Sequence, residues 1–296
     1  VARIKLIWQS KLVLLLVLPF AGASLVLQAH WWAVNHWPVA VWTLGLSLLF
    51  GLVVLQLGAA TPPAAFAGMA IAACLMFSTV TFTPTEAIPY APWHTDLVPV
   101  LTVFLLAFLA TRLGREGKER LGLGEQRQGR TAAQVAANLG VAAIVSSEPV
   151  QSWLIGFGWF SRATVAPLPL FAVGLAALAE AAADTVSSEV GQVLGGRPRM
   201  LTTIRLVEPG TDGGVSLIGT LAGVAAAVLV AAAGSWALGG GRTMFWISCA
   251  GAIFGLFFDS LLGATLERRG WLNNDAVNFL STASAAGFAL GVLAIL

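Results

Sequence analysis

Nine runs of about 20 mostly apolar residues, divided by short polar stretches, constrain this chain more than anything else in its sequence. They cover about 11–29, 39–57, 63–82, 96–112, 131–147, 166–190, 214–237, 243–267 and 276–295. A helix of roughly 20 residues matches the hydrocarbon thickness of a bilayer. With no water there to satisfy backbone N–H and C=O groups, helix is the state that pairs them within the segment. A mean hydropathy of +0.84 and a charged fraction of 10% exclude a soluble fold, and nucleic acid is not expected as a partner. The expectation is therefore an all-α polytopic transmembrane helix bundle of about nine spans, residues 1–296 forming one integral membrane domain. The first run follows Arg3, Lys5 and Lys11 without a small-residue cleavage pattern, so it is expected to be a retained span rather than a signal peptide. Cys74 and Cys249 both fall inside apolar runs and read as small buried hydrophobes.

Charge sets the expected orientation. With the N-terminus in the cytoplasm, all but Arg162 and Arg242 of the 16 Lys and Arg fall on the cytoplasmic side. They cluster at 3–11, 112–130, 197–205 and 268–269. This is the asymmetry of the positive-inside rule, and an odd span count then puts the C-terminus outside. The opposite loops, His30-Trp31-Trp32, His36-Trp37-Pro38 and Tyr90-Ala91-Pro92-Trp93-His94, are aromatic and nearly uncharged, as suits headgroup depth. Their three histidines have no Cys, Asp or Glu at ligand spacing and read as interfacial rather than metal-binding.

Polar residues divide the chain unequally. Residues 1–111 carry few intramembrane polar groups, chiefly Gln28 and Gln56, and read as scaffold spans. Residues 112–296 should hold the catalytic spans and cytoplasmic loops. Here the glycine-rich stretch Val207–Gly219, VEPGTDGGVSLIG, leads straight into an apolar run. Glycines let successive backbone N–H groups aim at one point, and the first turn of the next helix adds unpaired donors, so Thr211, Asp212, Gly213, Gly214 and Ser216 read as a phosphate cradle. Arg130, Gln134 and Asn138 recur every four residues and share one helix face, as do Glu180, Asp184, Ser187 and Ser188, with Glu189 turned away. Gly255, Asp259, Gly263 and Glu267 form a third stripe. Asn273, Asn274, Asp275 and Asn278 open the last span. By the expected topology all lie at the cytoplasmic ends of their spans, at the depth of the glycine turn.

A carboxylate in a span costs roughly 2.5–3.5 kcal/mol on insertion scales, so such groups are kept where they pair or bind. Asp184 or Asp259 could simply pair with Arg130 or Arg205, and Asn and Ser could join helices. Taken as a set, oxygen donors without His or Cys suit Mg²⁺. Beside an anion cradle and cytoplasmic arginines, that is equipment for phosphoryl transfer, in which positioning and charge neutralisation do most of the catalysis.

On these residues the sequence resembles the plant phytyl-phosphate kinase family of integral membrane proteins. The matching pieces are Gly129-Arg130 with Gln134-Val135 and Ala137-Asn138, Ala183-Asp184-Thr185 with Ser188-Glu189, Pro209-Gly210-Thr211 with Gly213-Gly214-Val215-Ser216, Asp259 to Ala264, and Asn273-Asn274-Asp275 with Asn278. Asp212 stands where the family pattern suggests Asn. More distantly the chain is similar to CTP-dependent dolichol kinases and cytidylyltransferases. The resemblance implies transfer of a phosphoryl group from CTP, or another nucleoside triphosphate, to an isoprenoid monophosphate lipid. Asp184, Asp259 and Asp275 would hold Mg²⁺, residues 211–216 would cradle the phosphates with help from Gln134, Asn138, Ser188, Asn274 and Asn278, and Arg130, Lys118 or Arg205 would neutralise the acceptor. An alcohol acceptor would instead need a base, for which Glu180 or Glu189 is the candidate. The expected location is a bacterial cytoplasmic membrane with the site on its cytoplasmic side. Two other readings use the same anion site: a polyprenyl-phosphate transporter or flippase, and a cytidylyltransferase forming a CDP-lipid.

Overall fold

The computed structural model describes residues 7–80, 90–114, 129–156 and 167–296. Each expected apolar run is a helix there: α1 (Ile7–Asn35), α2 (Trp37–Gln56), α3 (Pro62–Ser78), α4 (Leu97–Arg112), α5 (Ala132–Ser146), α7 (Pro167–Leu194), α8 (Leu217–Ala237), α9 (Gly241–Leu262) and α10 (Asn274–Ile295). A short α6 (Glu148–Gly156) follows α5. By length and composition six helices can cross a membrane, while α3, α4 and α5 are shorter. The protein is thus a polytopic helical membrane protein. Shortness in α3 goes with position: it is buried almost without a break from Ala64 to Phe77, with protein rather than lipid around it. Pro62 and Pro63 start it sharply, where a missing N–H costs nothing.

The hub is α7, which packs against α4, α5, α8, α9 and α10. Its sequence makes that possible. Ala172, Ala176, Ala177, Ala179, Ala181, Ala182 and Ala183 are all buried, and small side chains let neighbouring backbones approach closely, the main packing device when lipid is as apolar as the helix. Neighbouring helices reply with glycines four residues apart. A Cβ at Gly223 of α8 would lie 2.7 Å from the carbonyl oxygen of Ala183, and one at Gly255 of α9 would lie 2.9 Å from the Cβ of Ala285 on α10. These contacts bring one end of α7, α8, α9 and α10 together.

At that end α9 runs into a π-helical turn, Gly263–Glu267, and the α7–α8 connection folds back over it. The connection is pinned by a two-residue antiparallel pairing, β1 (Arg199–Met200) with β2 (Gly214–Val215). Gly213 adopts φ +72° and sits directly on the backbone of Ala264, where any side chain would collide. Glycine is needed here to bring the loop onto the π turn. From the far side of the bundle α1 reaches the same end. Gln9 donates to the Trp271 carbonyl (2.8 Å) and accepts from the Asn273 N–H (2.8 Å), while Ser10 accepts from Asn273 Nδ2 (2.9 Å).

Candidate functional site

Between α7, the glycine turn, the π turn and the start of α10 lies a polar cavity of about 230 Å³. Asp184, Ser187, Ser188, Gly191 and Gln192 enter from α7, residues 209–214 and Ser216 from the loop, Asp259 and Ser260 from α9, and Glu267, Asn274 and Asn278 from the far wall. Most of the residues expected to bind nucleotide are thereby gathered: Thr211, Asp212, Gly213, Gly214, Ser216, Ser188, Asn274 and Asn278 line one space with Asp184 and Asp259. Sequence reasoning overlooked Gln192, although it lies two turns beyond Asp184 on the stripe that runs through Ser188.

The acidic pair is the electrostatic centre. Asp184 and Asp259 line the cavity together and act on each other electrostatically, and Arg130 acts on Asp184 from outside it. Asp259 Oδ2 is buried with no hydrogen-bond partner among the described residues, and so is Oε1 of Glu180, one turn deeper on α7. A buried carboxylate oxygen left without a donor is costly. Two facing carboxylates with such an oxygen, in a hydroxyl- and amide-lined space, fit a hard divalent cation. Magnesium is commonly held by one or two carboxylates, with water and substrate phosphates completing its shell.

The structure places several of the other candidates elsewhere. Asp275 does not join Asp184 and Asp259: it sits in the first turn of α10, and its Oδ2 accepts from Ser10 at 2.6 Å. Among the described residues no group of three His, Cys, Asp or Glu is placed to hold a metal. Gly214 spends its N–H inside a turn, donating to the Thr211 carbonyl at 2.9 Å, so that N–H is not aimed at the cavity. Ser216 caps α8 by accepting from Gly219 N–H (3.1 Å). Gln134 completes a capping box with Thr131 at the start of α5. Asn138 is buried and accepts from Asn278 at 3.0 Å, lining a different cavity. Arg130 lines that second cavity too, and donates to Thr185 Oγ1 at 3.3 Å. Arg205 is exposed in the loop and does not line the polar cavity. Glu189 faces α4, where Thr111 donates to it at 3.4 Å. Lys118 lies outside the described residues.

A polytopic bundle with an acid-rich polar cavity closed by a glycine turn defines the class of protein. Within that class, the family of integral membrane protein DUF92 matches residues 45–286. The chain belongs to this family, the group to which its sequence resemblance pointed. It is 36% identical over 197 residues to an uncharacterized membrane protein of Methanocaldococcus jannaschii, covering 67% of this chain and 75% of that one. An uncharacterized membrane protein of Synechocystis is 33% identical over 212 residues, covering 68% and 74%. The chloroplastic protein VTE6 of Arabidopsis thaliana is 31% identical over 188 residues, covering 62% of this chain and 54% of VTE6. No solved structure matches the chain.

Proposed function

We propose that this protein is a membrane phosphotransferase that moves the γ-phosphoryl group of CTP, or another nucleoside triphosphate, onto an isoprenoid monophosphate such as phytyl phosphate. The observation that carries this reading is the meeting of Asp184 and Asp259 with the residue 209–214 loop in one polar cavity. The bundle would sit with nine spans in a bacterial cytoplasmic membrane, its N-terminus and this cavity on the cytoplasmic side.

A phosphomonoester has a second pKa of about 6 and is largely dianionic at neutral pH, so the acceptor oxygen needs no general base. It attacks the γ-phosphorus, the bond to the β-phosphate oxygen breaks, and the nucleoside diphosphate leaves with that oxygen's electron pair. The obstacle is repulsion between anions. Mg²⁺, when bound by Asp184 and Asp259, would supply charge neutralisation to the donor phosphates. Thr211, Ser188, Asn274 and Asn278 would orient those phosphates through hydrogen bonds, and Arg130 would offset acceptor charge from the opposite side.

Purified protein incubated with labelled CTP, Mg²⁺ and phytyl or geranylgeranyl monophosphate tests the reading. Release of CDP with formation of the lipid diphosphate is expected. Release of pyrophosphate would instead mean attack at the α-phosphorus and a CDP-lipid product. Lipid binding that needs neither nucleotide nor Mg²⁺, with no product, would mean a transporter.

A further inference from the structure

A second cavity, about 160 Å³ and largely apolar, lies beside the first. Its walls include Phe50 and Val54 of α2, Ala64 and Gly68 of α3, and Phe104 and Ala107 of α4. Along α4 the lining runs from Val100 to Arg112, which at 1.5 Å per residue is about 18 Å, more than half of a bilayer's hydrocarbon thickness. Polar groups gather at one end, where α4 stops and α5 begins: Arg112, Arg130, Asn138 and Thr185. Arg112 is held there by donating to the Leu57 carbonyl (2.8 Å) and by stacking over Phe108, 4.3 Å from the ring centroid. Gly129 rests on the backbone of Ala59 and Ala60, which fixes Arg130 against the α2–α3 turn.

The two cavities share a wall that includes α7. Asp184 faces the polar cavity and Thr185 the apolar one. Asn278 lines the first and donates at 3.0 Å to Asn138, which lines the second. Arg130 touches Thr185 on one side and acts electrostatically on Asp184 on the other.

We propose that the apolar cavity seats the hydrocarbon tail of the lipid monophosphate, with its phosphate held at the Arg130–Asn138 end, against the partition facing the Asp184–Asp259 pair. The occupant follows from charge and shape together: a largely apolar slot running about 18 Å along α4 and ending at two guanidinium groups fits an apolar chain that ends in an anion. This rests on the phosphotransferase reading for the direction of chemistry, but not for binding. The first half of the chain is then the acceptor site and not merely scaffold.

The test is photolabelling of the whole protein in nanodiscs with geranylgeranyl monophosphate carrying a diazirine in its tail, followed by peptide mapping. Label is expected on α2, α3 and α4 peptides around Phe50, Gly68 and Phe104, competed by unmodified geranylgeranyl monophosphate. Ala107→Val, Ala107→Leu and Ala107→Phe should reduce competed label progressively, to a tenfold loss at Phe, and raise the KM for this acceptor in step while the KM for nucleotide holds. The graded series keeps an answer available if the largest side chain misfolds. Leu105→Phe, on the exposed side of α4, should change neither. Competed label confined to other helices, or label indifferent to all three Ala107 variants, would overturn the proposal. Labelling as expected without lipid diphosphate formation would sink the phosphotransferase reading and leave the lipid site standing. Diphosphate formation with label elsewhere would do the reverse.

Discussion

The two cavities are built on opposite plans, although they share a wall. The polar one is made by helix ends and a loop, with side chains held by caps, turns and a two-residue strand pairing. The apolar one is made mainly by the middles of helices, lined by Phe, Val, Ala and Gly, with a polar end at the α2–α3 turn and the start of α5. Loops and termini can aim several donors at a small charged group. Helix middles in a membrane can offer only shape, because any unpaired polar group there is expensive. Such a contrast suits a bisubstrate site that must receive one water-soluble anion and one lipid anion, and keep them apart until their phosphates align.

The largest expected effect falls on the polar side. Asp184→Asn and Asp259→Asn should each lower kcat by at least about a hundredfold, since each removes one carboxylate of the pair that lines the polar cavity, while the protein keeps its detergent unfolding midpoint. Steady-state rates across a Mg²⁺ titration check this, and near-normal turnover in either variant would take the metal role away from the pair. Next comes the partition. Arg130→Lys preserves charge but loses the planar fork, and should raise the acceptor KM by about tenfold with a small change in kcat. An increase in nucleotide KM alone would mean that Arg130 serves the other cavity.

These expectations show which parts of the molecule were legible in its sequence. Helix positions were, because apolar runs of bilayer length admit one backbone state, and so was the gathering of Asp184, Asp259 and the residue 209–216 loop, because four-residue spacing fixes the face of a helix. Four features were not. Asp275 lies one residue past the start of α10, and whether a first-turn side chain faces the cavity or α1 depends on how the Asn273 cap rotates the helix. Gly214 reads equally well as a phosphate ligand or as a turn residue, and only the bond to Thr211 separates the two. The apolar cavity was invisible because Phe50, Val54 and Phe104 give the same hydropathy whether they meet lipid, protein or empty space. Gln9 and Ser10 were passed over for lying just ahead of the first apolar run, yet they tie α1 to the α9–α10 turn.

A smaller effect belongs to the packing that holds both plans together. Gly223→Val pushes a branched side chain toward the Ala183 carbonyl, 2.7 Å from where its Cβ would sit, and so wedges α8 from α7 just below Asp184. Overpacking of this kind typically costs about 1–3 kcal/mol. A lower midpoint of thermal unfolding in detergent should appear, with turnover reduced in proportion as Ser187 and Asp184 shift. Unchanged stability would mean that the two helices can separate without disturbing the site, and the hub role of α7 would fall.

The smallest effect is the one that discriminates best between the sequence-based expectation and the geometry. Asp275 belongs with Asp184 and Asp259 if spacing alone decides, and with Ser10 if the structure does. Asp275→Asn keeps an acceptor oxygen for the Ser10 hydroxyl and loses only the charge near the start of α10, worth about 0.3–1 kcal/mol at a helix N-terminus. Turnover and Mg²⁺ dependence should therefore stay close to those of the parent protein, with a slight fall in unfolding midpoint. Ser10→Ala should lower the midpoint by a similar amount, and the double variant by less than the sum, because both act on one contact. A loss of turnover in Asp275→Asn as deep as that in Asp184→Asn, reversed by raising Mg²⁺, would return Asp275 to the metal and require α10 to turn about its axis when the donor binds.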